Sequence, residues 1–428
     1  MAGRQLGRPP AVGHARRVRL VWLVPVVLLA LPAALLLRSA SGPVGGVGEA
    51  WVRQLGTREH EAATSVAVGG AGELYLAGWT SGAWPGQTAS GGSQDAFVMR
   101  YTPSGASWTR QFGTGRRTVA SQVAVDGAGN VYVAGQVSGT LATQPAVGEF
   151  DAFVRKYTGE GVEVWTRQFG GPGDTGANRL AVDALGHVYV AGWISGALPG
   201  QAAAGQADAF VRAYDPAGIE TWTRQFGTPG QDRALSVATD GTGAVSVAGL
   251  TEDAVGEQRA FVRRFASDGA ELSSWLLATA EQEEILDLAV DGAGAVYLVG
   301  MLEYGHGDAF VRRYDPDGVE VWTRRLGGAV RGEALELAVD TSGEVYILGP
   351  DLGRPVGQAG AGVVGVRRYD ADGKLRASGQ LEVPGHGVVD SLAPAGPSTV
   401  YLAGWTDEPL PGQVSAGLSD TLVARLSL

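Results

Sequence analysis

Between residues 50 and 428 the chain alternates short apolar runs with Gly, Pro and Asp turns, and no long helical period interrupts the pattern. The clearest tracer is a short run ending in Gly. It reads Leu74-Tyr-Leu-Ala-Gly78, Val131-Tyr-Val-Ala-Gly135, Val188-Tyr-Val-Ala-Gly192, Val245-Ser-Val-Ala-Gly249, Val296-Tyr-Leu-Val-Gly300, Val345-Tyr-Ile-Leu-Gly349 and Val400-Tyr-Leu-Ala-Gly404. These seven copies recur at spacings of 49–57 residues, which fits four-stranded propeller blades rather than shorter solenoid repeats. Each copy is the second of four expected strands, A to D. In the third unit the strands are Arg179-Leu-Ala-Val-Asp183, Val188 to Gly192, Asp208-Ala-Phe-Val-Arg-Ala-Tyr214 and Thr221-Trp-Thr-Arg-Gln-Phe226. β-Branched and aromatic residues fill them, as strands require. The A–B link Asp126-Gly-Ala-Gly129 and the C–D link Asp215-Pro-Ala-Gly218 carry hairpin chemistry. The fold predicted is all-β, a seven-bladed β-propeller of four-stranded blades.

The position of one D-type segment predicts how the ring closes. Trp51-Val-Arg-Gln-Leu-Gly56 precedes the first A strand, while the seventh unit ends after its C strand, Asp420-Thr-Leu-Val-Ala-Arg425, without a D strand. Residues 50–56 are therefore expected to supply the outer strand of the last blade, which removes an exposed edge where the chain begins and ends.

The run Asp-Ala-Phe-Val-Arg-x-Tyr, then Asp-x-x-Gly and Trp-Thr-Arg-Gln-Phe-Gly, with Gly129-Asn-Val-Tyr-Val-Ala-Gly135 before it, resembles the SBBP-type β-propeller repeat of bacterial envelope and secreted proteins. The resemblance covers residues 50–428 and is sharpest in blades 1, 2, 3 and 5. It implies an extracellular propeller and says little about activity.

Composition agrees. Gly accounts for 67 of 428 residues, more than twice the usual share of about 7%. It does not recur at every third position, which excludes collagen, and 45% hydrophobic with 18% charged residues excludes a disordered chain. Positions 1–41 carry six Arg and no acid, which leaves 27 basic against 44 acidic side chains and a net charge near −17 for the rest. That body repels phosphate, so no nucleic-acid partner is expected. The absence of Cys excludes disulfides and thiolate chemistry.

Residues 20–37 form an uncharged apolar run between Arg16, Arg17, Arg19 and Arg38. A helix of that length spans roughly 27 Å, enough for a signal anchor with the N-terminus cytoplasmic. A signal peptide cleaved after Ser39-Ala40-Ser41 is the alternative. The expected organisation is an N-terminal hydrophobic helix within 1–41, a linker over 42–49 and a propeller over 50–428. The propeller then lies outside the cytoplasm, membrane-attached by the N-terminal helix or secreted.

Residues that recur in every blade are expected to hold blades together. Asp95, Asp151, Asp208, Asp308 and Asp420 open C strands, and Arg53, Arg110, Arg167, Arg224 and Arg324 follow the D-strand Trp by two. Blades 4 and 6 lack both, with Arg259 and Val363 at the Asp position and Gly379 at the Arg position in blade 6. This joint loss predicts an Asp–Arg pair within each C–D hairpin. In the B–C loops, Trp79, Trp193 and Trp405 are either sugar-stacking platforms or covers for blade ends, with Trp84, Leu198 and Leu410 turned inward.

The B–C loops, 79–94, 136–150, 193–207, 250–258, 301–307, 350–362 and 405–419, are shortest in blades 4 and 5, which therefore form a low gap in the rim of the loop face. Irregular residues there and on the D–A loops are the candidate site: His60, Arg116, Arg117, Asp232, Arg233, Glu283, Glu284, Glu303, Tyr304, His306, Arg331 and His386. Convergence of the carboxylates and His would permit acid–base or metal chemistry. Asp315-Pro-Asp317-Gly318 and Asp370-Ala-Asp372-Gly373 lack the later ligands of a calcium loop. No nucleophile elbow, phosphate loop or His-Glu-x-x-His is present. No cofactor or metal is expected, and a monomer that contacts protein or polysaccharide at the cell surface is the preferred reading. The alternative is a hydrolase or lyase acting on extracellular polymers at the channel mouth.

Overall fold

A computed structural model describes residues 50–102, 105–141, 144–277, 283–302, 308–328, 336–340, 342–350 and 362–428. Among them 28 strands form seven four-stranded antiparallel sheets, each in the order A-B-C-D. In blade 3 the strands are Thr175–Val182, Val188–Ile194, Asp208–Tyr214 and Glu220–Phe226. In blade 7 they are Val388–Pro394, Thr399–Thr406 and Asp420–Ser427, with Trp51–Leu55 alongside as the fourth. That strand runs antiparallel to the C strand, with Trp51 opposite Arg425 and Leu55 opposite Thr421. The expected helix over 20–37 lies outside the described residues. Among the described residues no helix is long and apolar enough to cross a membrane.

The apolar clusters straddle the joints between blades. One joins Tyr132, Ala134 and Val154 of blade 2 to Leu180, Val190 and Phe210 of blade 3. Another joins Ala403 and Val423 of blade 7 to Leu76 and Phe97 of blade 1. Each blade buries both faces against its neighbours, which is why the B strands read as nearly continuous apolar runs.

A second device staples the joints on the C–D side. The Gly closing each C–D turn has positive φ, 75° at Gly161, 77° at Gly218, 81° at Gly269 and 74° at Gly373. In blades 2 to 6 the D-strand Trp of the preceding blade lies flat on it: a Cβ at Gly269 would come within 2.6 Å of the Trp222 ring, one at Gly161 within 2.7 Å of Trp108, and one at Gly318 within 3.0 Å of Trp275. Both backbone sign and space therefore demand Gly. The indole Nε1 donates to a carbonyl of the same turn, from Trp108 to Gly159 (2.9 Å), Trp165 to Pro216 (3.1 Å), Trp222 to Ser267 (2.8 Å) and Trp322 to Ala371 (2.9 Å).

Around the axis, A strands present an inner edge whose peptide groups need partners. A bulge at mid-strand, as between Ala63 and Ser65 or Ala177 and Arg179, turns two consecutive side chains toward the next blade. The bulged residue donates to the next blade's carbonyl: Thr64 to Ala120 (2.8 Å), Ser121 to Ala177 (2.8 Å), Asn178 to Ala234 (2.7 Å). The residue after it accepts a backbone N–H from the next blade: Ser65 from Val123 (3.2 Å), Gln122 from Leu180 (2.7 Å), Asp287 from Leu337 (2.9 Å) and Ser391 from Val66 (3.1 Å); Glu336, the first residue of the described blade 6 A strand, accepts likewise from Leu392. The Ser391 bond links blade 7 to blade 1, so the belt crosses the joint between chain ends.

Candidate functional site

The D–A and B–C loops share one face because A strands start, and B strands end, at the same edge of every blade, as Glu61 opposite Thr80 shows. Most of the described candidate charges on that face are tied up locally. His60 is exposed, with Nδ1 3.2 Å from Ser419 Oγ. His386 bonds Asp407 at 2.9 Å, an exposed pair in which the hydrogen bond holds the imidazole above its ordinary pKa and the carboxylate below its own. Arg117 donates to Gln94 at 2.9 Å, Arg116 is exposed, and the Arg233 guanidinium stacks 5.6 Å from the Trp193 ring. Asp232 is buried and accepts from the Thr228 backbone at 2.7 Å and from the Thr251 hydroxyl, and burial raises its pKa.

Glu283 is buried, accepting two hydrogen bonds from Arg312 at 2.9 and 3.1 Å, while Glu284 is half-buried opposite Met301. Glu303, Tyr304, His306 and Arg331 lie outside the described residues. No hydrogen bond joins His60, Glu283, Glu284 and His386 to one another among the described residues, and no cluster of three potential metal ligands occurs there.

The expected Asp–Arg pairs are replaced by Asp–Gln pairs. The D-strand Gln donates to the C-strand Asp: Gln111 to Asp95 (2.9 Å), Gln168 to Asp151 (2.8 Å), Gln225 to Asp208 (2.6 Å) and Gln54 to Asp420 (2.7 Å). The cause is a bulge next to the C–D turn, between Ala213 and Tyr214 in blade 3. It inserts Thr221 and shifts the pairing by one, so Phe210 faces Gln225 rather than Arg224. Asp208, two residues before Phe210, then shares a sheet face with Gln225. Arg110, Arg167 and Arg324 instead donate Nε to the turn Gly of the next blade at 2.7, 2.6 and 2.8 Å. Arg224 bonds the Thr223 carbonyl and Arg53 that of Val52, both at 3.0 Å. The Asp308 side chain lies outside the described residues.

The same Gln clamps the B–C loop. Its amide oxygen accepts the backbone N–H of the inward-turned residue: Trp84 (3.0 Å), Leu141 (2.8 Å), Leu198 (2.8 Å) or Leu410 (2.8 Å). These four residues are 1–5% exposed and cover the blade end, as the covering reading expects. Trp79, Trp193 and Trp405 above them are half-buried.

Blade 4 departs from the pattern at every one of these positions. Its B–C connection is a plain hairpin turn, closed by Asp253 N–H to the Glu257 carbonyl at 3.0 Å, and supplies no covering residue. Leu276 stands where Gln225 stands in blade 3, and Trp275 pairs with Val262, the register position of Arg224. Phe226 and Phe261 keep the edge-to-face contact of other joints, at 5.6 Å and 87°, but lose their lid. What remains is a recess of about 310 Å³ at the gap in the rim, walled by Phe226, Phe261 and Leu276 and edged by Thr228, Thr251 and Arg263. The Trp275 ring turns to the other face of the sheet, onto the turn glycine Gly318 of blade 5, where its buried Nε1 has no hydrogen-bond partner among the described residues.

Deeper on the axis, Arg179 of blade 3 reaches to 3.9 Å from Glu336 of blade 6. Burial lifts the Glu336 carboxyl to about 8 against the pull of Arg179, with Asp287 adding to the rise. Burial likewise raises Asp390 to about 6.

A model of the SBBP β-propeller repeat matches residues 107–139 and 164–199. The chain carries SBBP repeats. No curated protein matches it. Among solved structures, this SBBP propeller is similar to an ulvan lyase of polysaccharide lyase family PL25 bound to -[GlcA(1-4)Rha3S]-, with 9% identity, TM-score 0.53, and coverage of 86% of this chain and 95% of that one. It is also similar to Sqt1 from Chaetomium thermophilum (11% identity, TM-score 0.48, 88% and 100% covered). A protein of unknown function from Dyadobacter fermentans gives 13% identity, TM-score 0.46, and 88% and 99% covered. At these identities the likeness is one of fold.

The SBBP motif also held the residue missed by sequence reasoning. Gln follows the Arg in Trp-Thr-Arg-Gln-Phe, and its recurrence at Gln111, Gln168 and Gln225 was an available signal. Only the bulged register shows that it, and not its neighbour, meets the Asp.

Proposed function

We propose that this SBBP propeller is a non-enzymatic binding or scaffold protein. Held on the extracytoplasmic side by its N-terminal apolar segment, or secreted, it contacts protein or polysaccharide through its B–C and D–A loop face, with its ring closed by the strand at 51–55. One observation carries the reading. Apart from the half-buried Glu284, the acids and His described on that face are engaged within one blade or with an adjoining strand, and no hydrogen bond joins them to a common point, whereas the gap in the rim opens a recess with aromatic walls. Recognition needs such a recess with a few placed polar groups; acid–base catalysis needs groups within hydrogen-bond reach of one substrate atom.

The test is a thermal-shift panel of neutral and acidic polysaccharides and divalent metals on the full-length chain, together with an assay for new reducing ends in the polymers. A shift with a polymer and none with metals, without chain cleavage, is expected. Cleavage of any polymer would overturn the proposal.

A further inference from the structure

The blade 4 recess is the place where other blades seat a side chain of their own. In blade 3, Leu198 packs in one cluster with Phe169, Phe210 and Ile194. By register their counterparts in blade 4 are Phe226, Phe261 and Thr251, and all three line the recess. The wall is otherwise that of a covered blade: the Arg263 guanidinium lies 4.3 Å from the Phe226 centroid, as Arg212 lies 4.4 Å from Phe169. Thr251 in place of Ile194 does not exclude an apolar cover. In blade 1, Thr80 holds that position and donates to Glu61 at 2.8 Å, as Thr251 donates to Asp232, and Trp84 packs edge to face on Phe97 at 5.2 Å.

The covering side chains arrive on one backbone form. Trp84-Pro85-Gly86-Gln87, Leu198-Pro199-Gly200-Gln201 and Leu410-Pro411-Gly412-Gln413 each close with the Gln N–H donating to the carbonyl of the apolar residue, at 2.8, 2.9 and 2.9 Å, and their glycines have φ of 75°, 74° and 75°. These are type II turns, with Pro fixing the first central residue and Gly supplying the positive φ of the second.

We infer that the blade 4 recess docks a polypeptide partner through a type II Pro-Gly turn whose first residue is Trp or Leu, the apolar side chain packed on Phe226 and Phe261 where the blade's own cover is missing. Such a turn is largely ordered before it binds, so little freedom is lost on docking. A polyol would set hydroxyls against Phe261, Val262 and Leu276, while the Thr251 proton goes to Asp232 and the Thr228 proton to Asp232 or the Glu252 carbonyl. That is a desolvation cost the apolar side chain avoids. Leu276 replaces the Gln that elsewhere accepts the cover's backbone N–H, so the side chain carries the contact. The inference rests on the binding reading above and narrows it, at this recess, to a protein partner.

The experiment is saturation-transfer NMR with a titration series on the full-length chain, using two capped heptapeptides with the sequences of residues 81–87 and 195–201. Their Trp84→Asp and Leu198→Asp forms and neutral hexasaccharides of glucose and mannose are the comparison probes. Saturable binding of both parent peptides is expected, with the Asp forms about tenfold or more weaker. Ser274 is exposed at the edge of the recess, and Ser274→Trp fills it. That variant should weaken both peptides about tenfold or more with an unchanged melting temperature. The paired variant Arg259→Asp with Leu276→Gln restores the clamp and should tighten both peptides several-fold, whereas adsorption to an apolar patch would weaken on loss of Leu276. No saturable peptide, Asp forms that bind equally, binding intact in Ser274→Trp, or binding weakened in the paired variant would each overturn the inference. So would a hexasaccharide that binds more tightly than the peptides and is lost in Ser274→Trp, or a dimer seen in sedimentation that Ser274→Trp abolishes, which would put a second copy in the recess. A polysaccharide shift that persists in Ser274→Trp, with no peptide bound to the wild type, would overturn it while leaving the binding reading standing. A wild type that binds neither peptide nor any polysaccharide would remove both.

Discussion

Two glycines measure the Trp staple. Gly129 and Gly269 both have φ near 81°, so replacing either by Ala forces the left-handed region on a residue with a Cβ, at about 1–2 kcal/mol. Their surroundings differ. Nothing lies within 4 Å of a Cβ at Gly129, whereas at Gly269 the Trp222 ring lies at 2.6 and 2.8 Å. Trp222 is 7% exposed, and its Nε1 bond to Ser267 fixes it in place. Gly269→Ala must push the ring outward or strain the turn, which adds about 1–3 kcal/mol of overpacking. The expected losses are therefore about 1–2 kcal/mol for Gly129→Ala and about 2–5 kcal/mol for Gly269→Ala, read from equilibrium urea unfolding of the full-length chain. In a Trp222→Ala background the excess at position 269 should vanish. Equal losses for the two glycines in the wild type, or an excess that persists without Trp222, would refute the staple.

The Asp–Gln clamp makes Asp208→Ala and Gln225→Ala strongly non-additive, because Asp208→Ala strands the Gln225 amide and the backbone N–H groups of Ala204 and Gly205; about 2–4 kcal/mol is expected. Arg224→Ala should cost roughly 1 kcal/mol and add independently to Asp208→Ala, and coupling of Asp208 to Arg224 instead would restore the ion pair. Glu283→Ala should cost about 1.5–3 kcal/mol because it removes both close charge-assisted bonds of the buried Arg312 and leaves it only the half-exposed Glu320 at 3.4 Å, against about 0.5 kcal/mol or less for Glu284→Ala; similar values for both would contradict their different burial. On the axis, a carboxyl raised by folding favours the protonated native state, so its contribution is complete below its ordinary pKa and is lost as pH rises through the folded value. Stability should thus decline from near pH 4.5 to about 8 for Glu336 and from near 3.8 to about 6 for Asp390. Glu336→Gln should flatten the upper part of a melting-temperature profile taken from mildly acidic to mildly alkaline pH, and an unchanged slope would contradict the assignment.

The fold was legible because each blade must hide the same two faces, which stamps the same apolar run on the chain seven times. The clamp was legible only in part. Asp and Arg vanish together from blades 4 and 6, and Gln380 stays in blade 6 opposite Gly365, so co-occurrence favours the wrong partner. Parity decides the matter, and a single bulged residue, Thr221 in blade 3, sets the parity. No local propensity of Thr announces that bulge, and blade 6 keeps it between Arg368 and Tyr369 although its outer strand holds no Trp. The loop charges failed as a site for a different reason. Irregularity in a repeat marks positions released from the blade's own requirements, but Glu283 and Asp232 had taken up new internal partners, Arg312 and Thr251, that lie far away in sequence.

Blade 4 shows what such releases have in common. A covering residue like Leu198, 1% exposed, contributes about 1.5–3 kcal/mol through burial. Its Gln clamp and Asp exist to hold the loop that carries it. Once the loop shrinks to a hairpin, Gln and Asp have nothing to hold, and Leu276 and Arg259 can stand in their places. The short loop, the missing cover, the missing Asp and the missing Gln therefore reduce to one event, removal of the lid. The rings beneath it remain, since Phe226 and Phe261 still pack edge to face across the joint. A lidless pair of rings flanked by the hydroxyls of Thr228 and Thr251 is a place where the repeat's own covering is left incomplete beside solvent, and that incompleteness is what a ligand can supply.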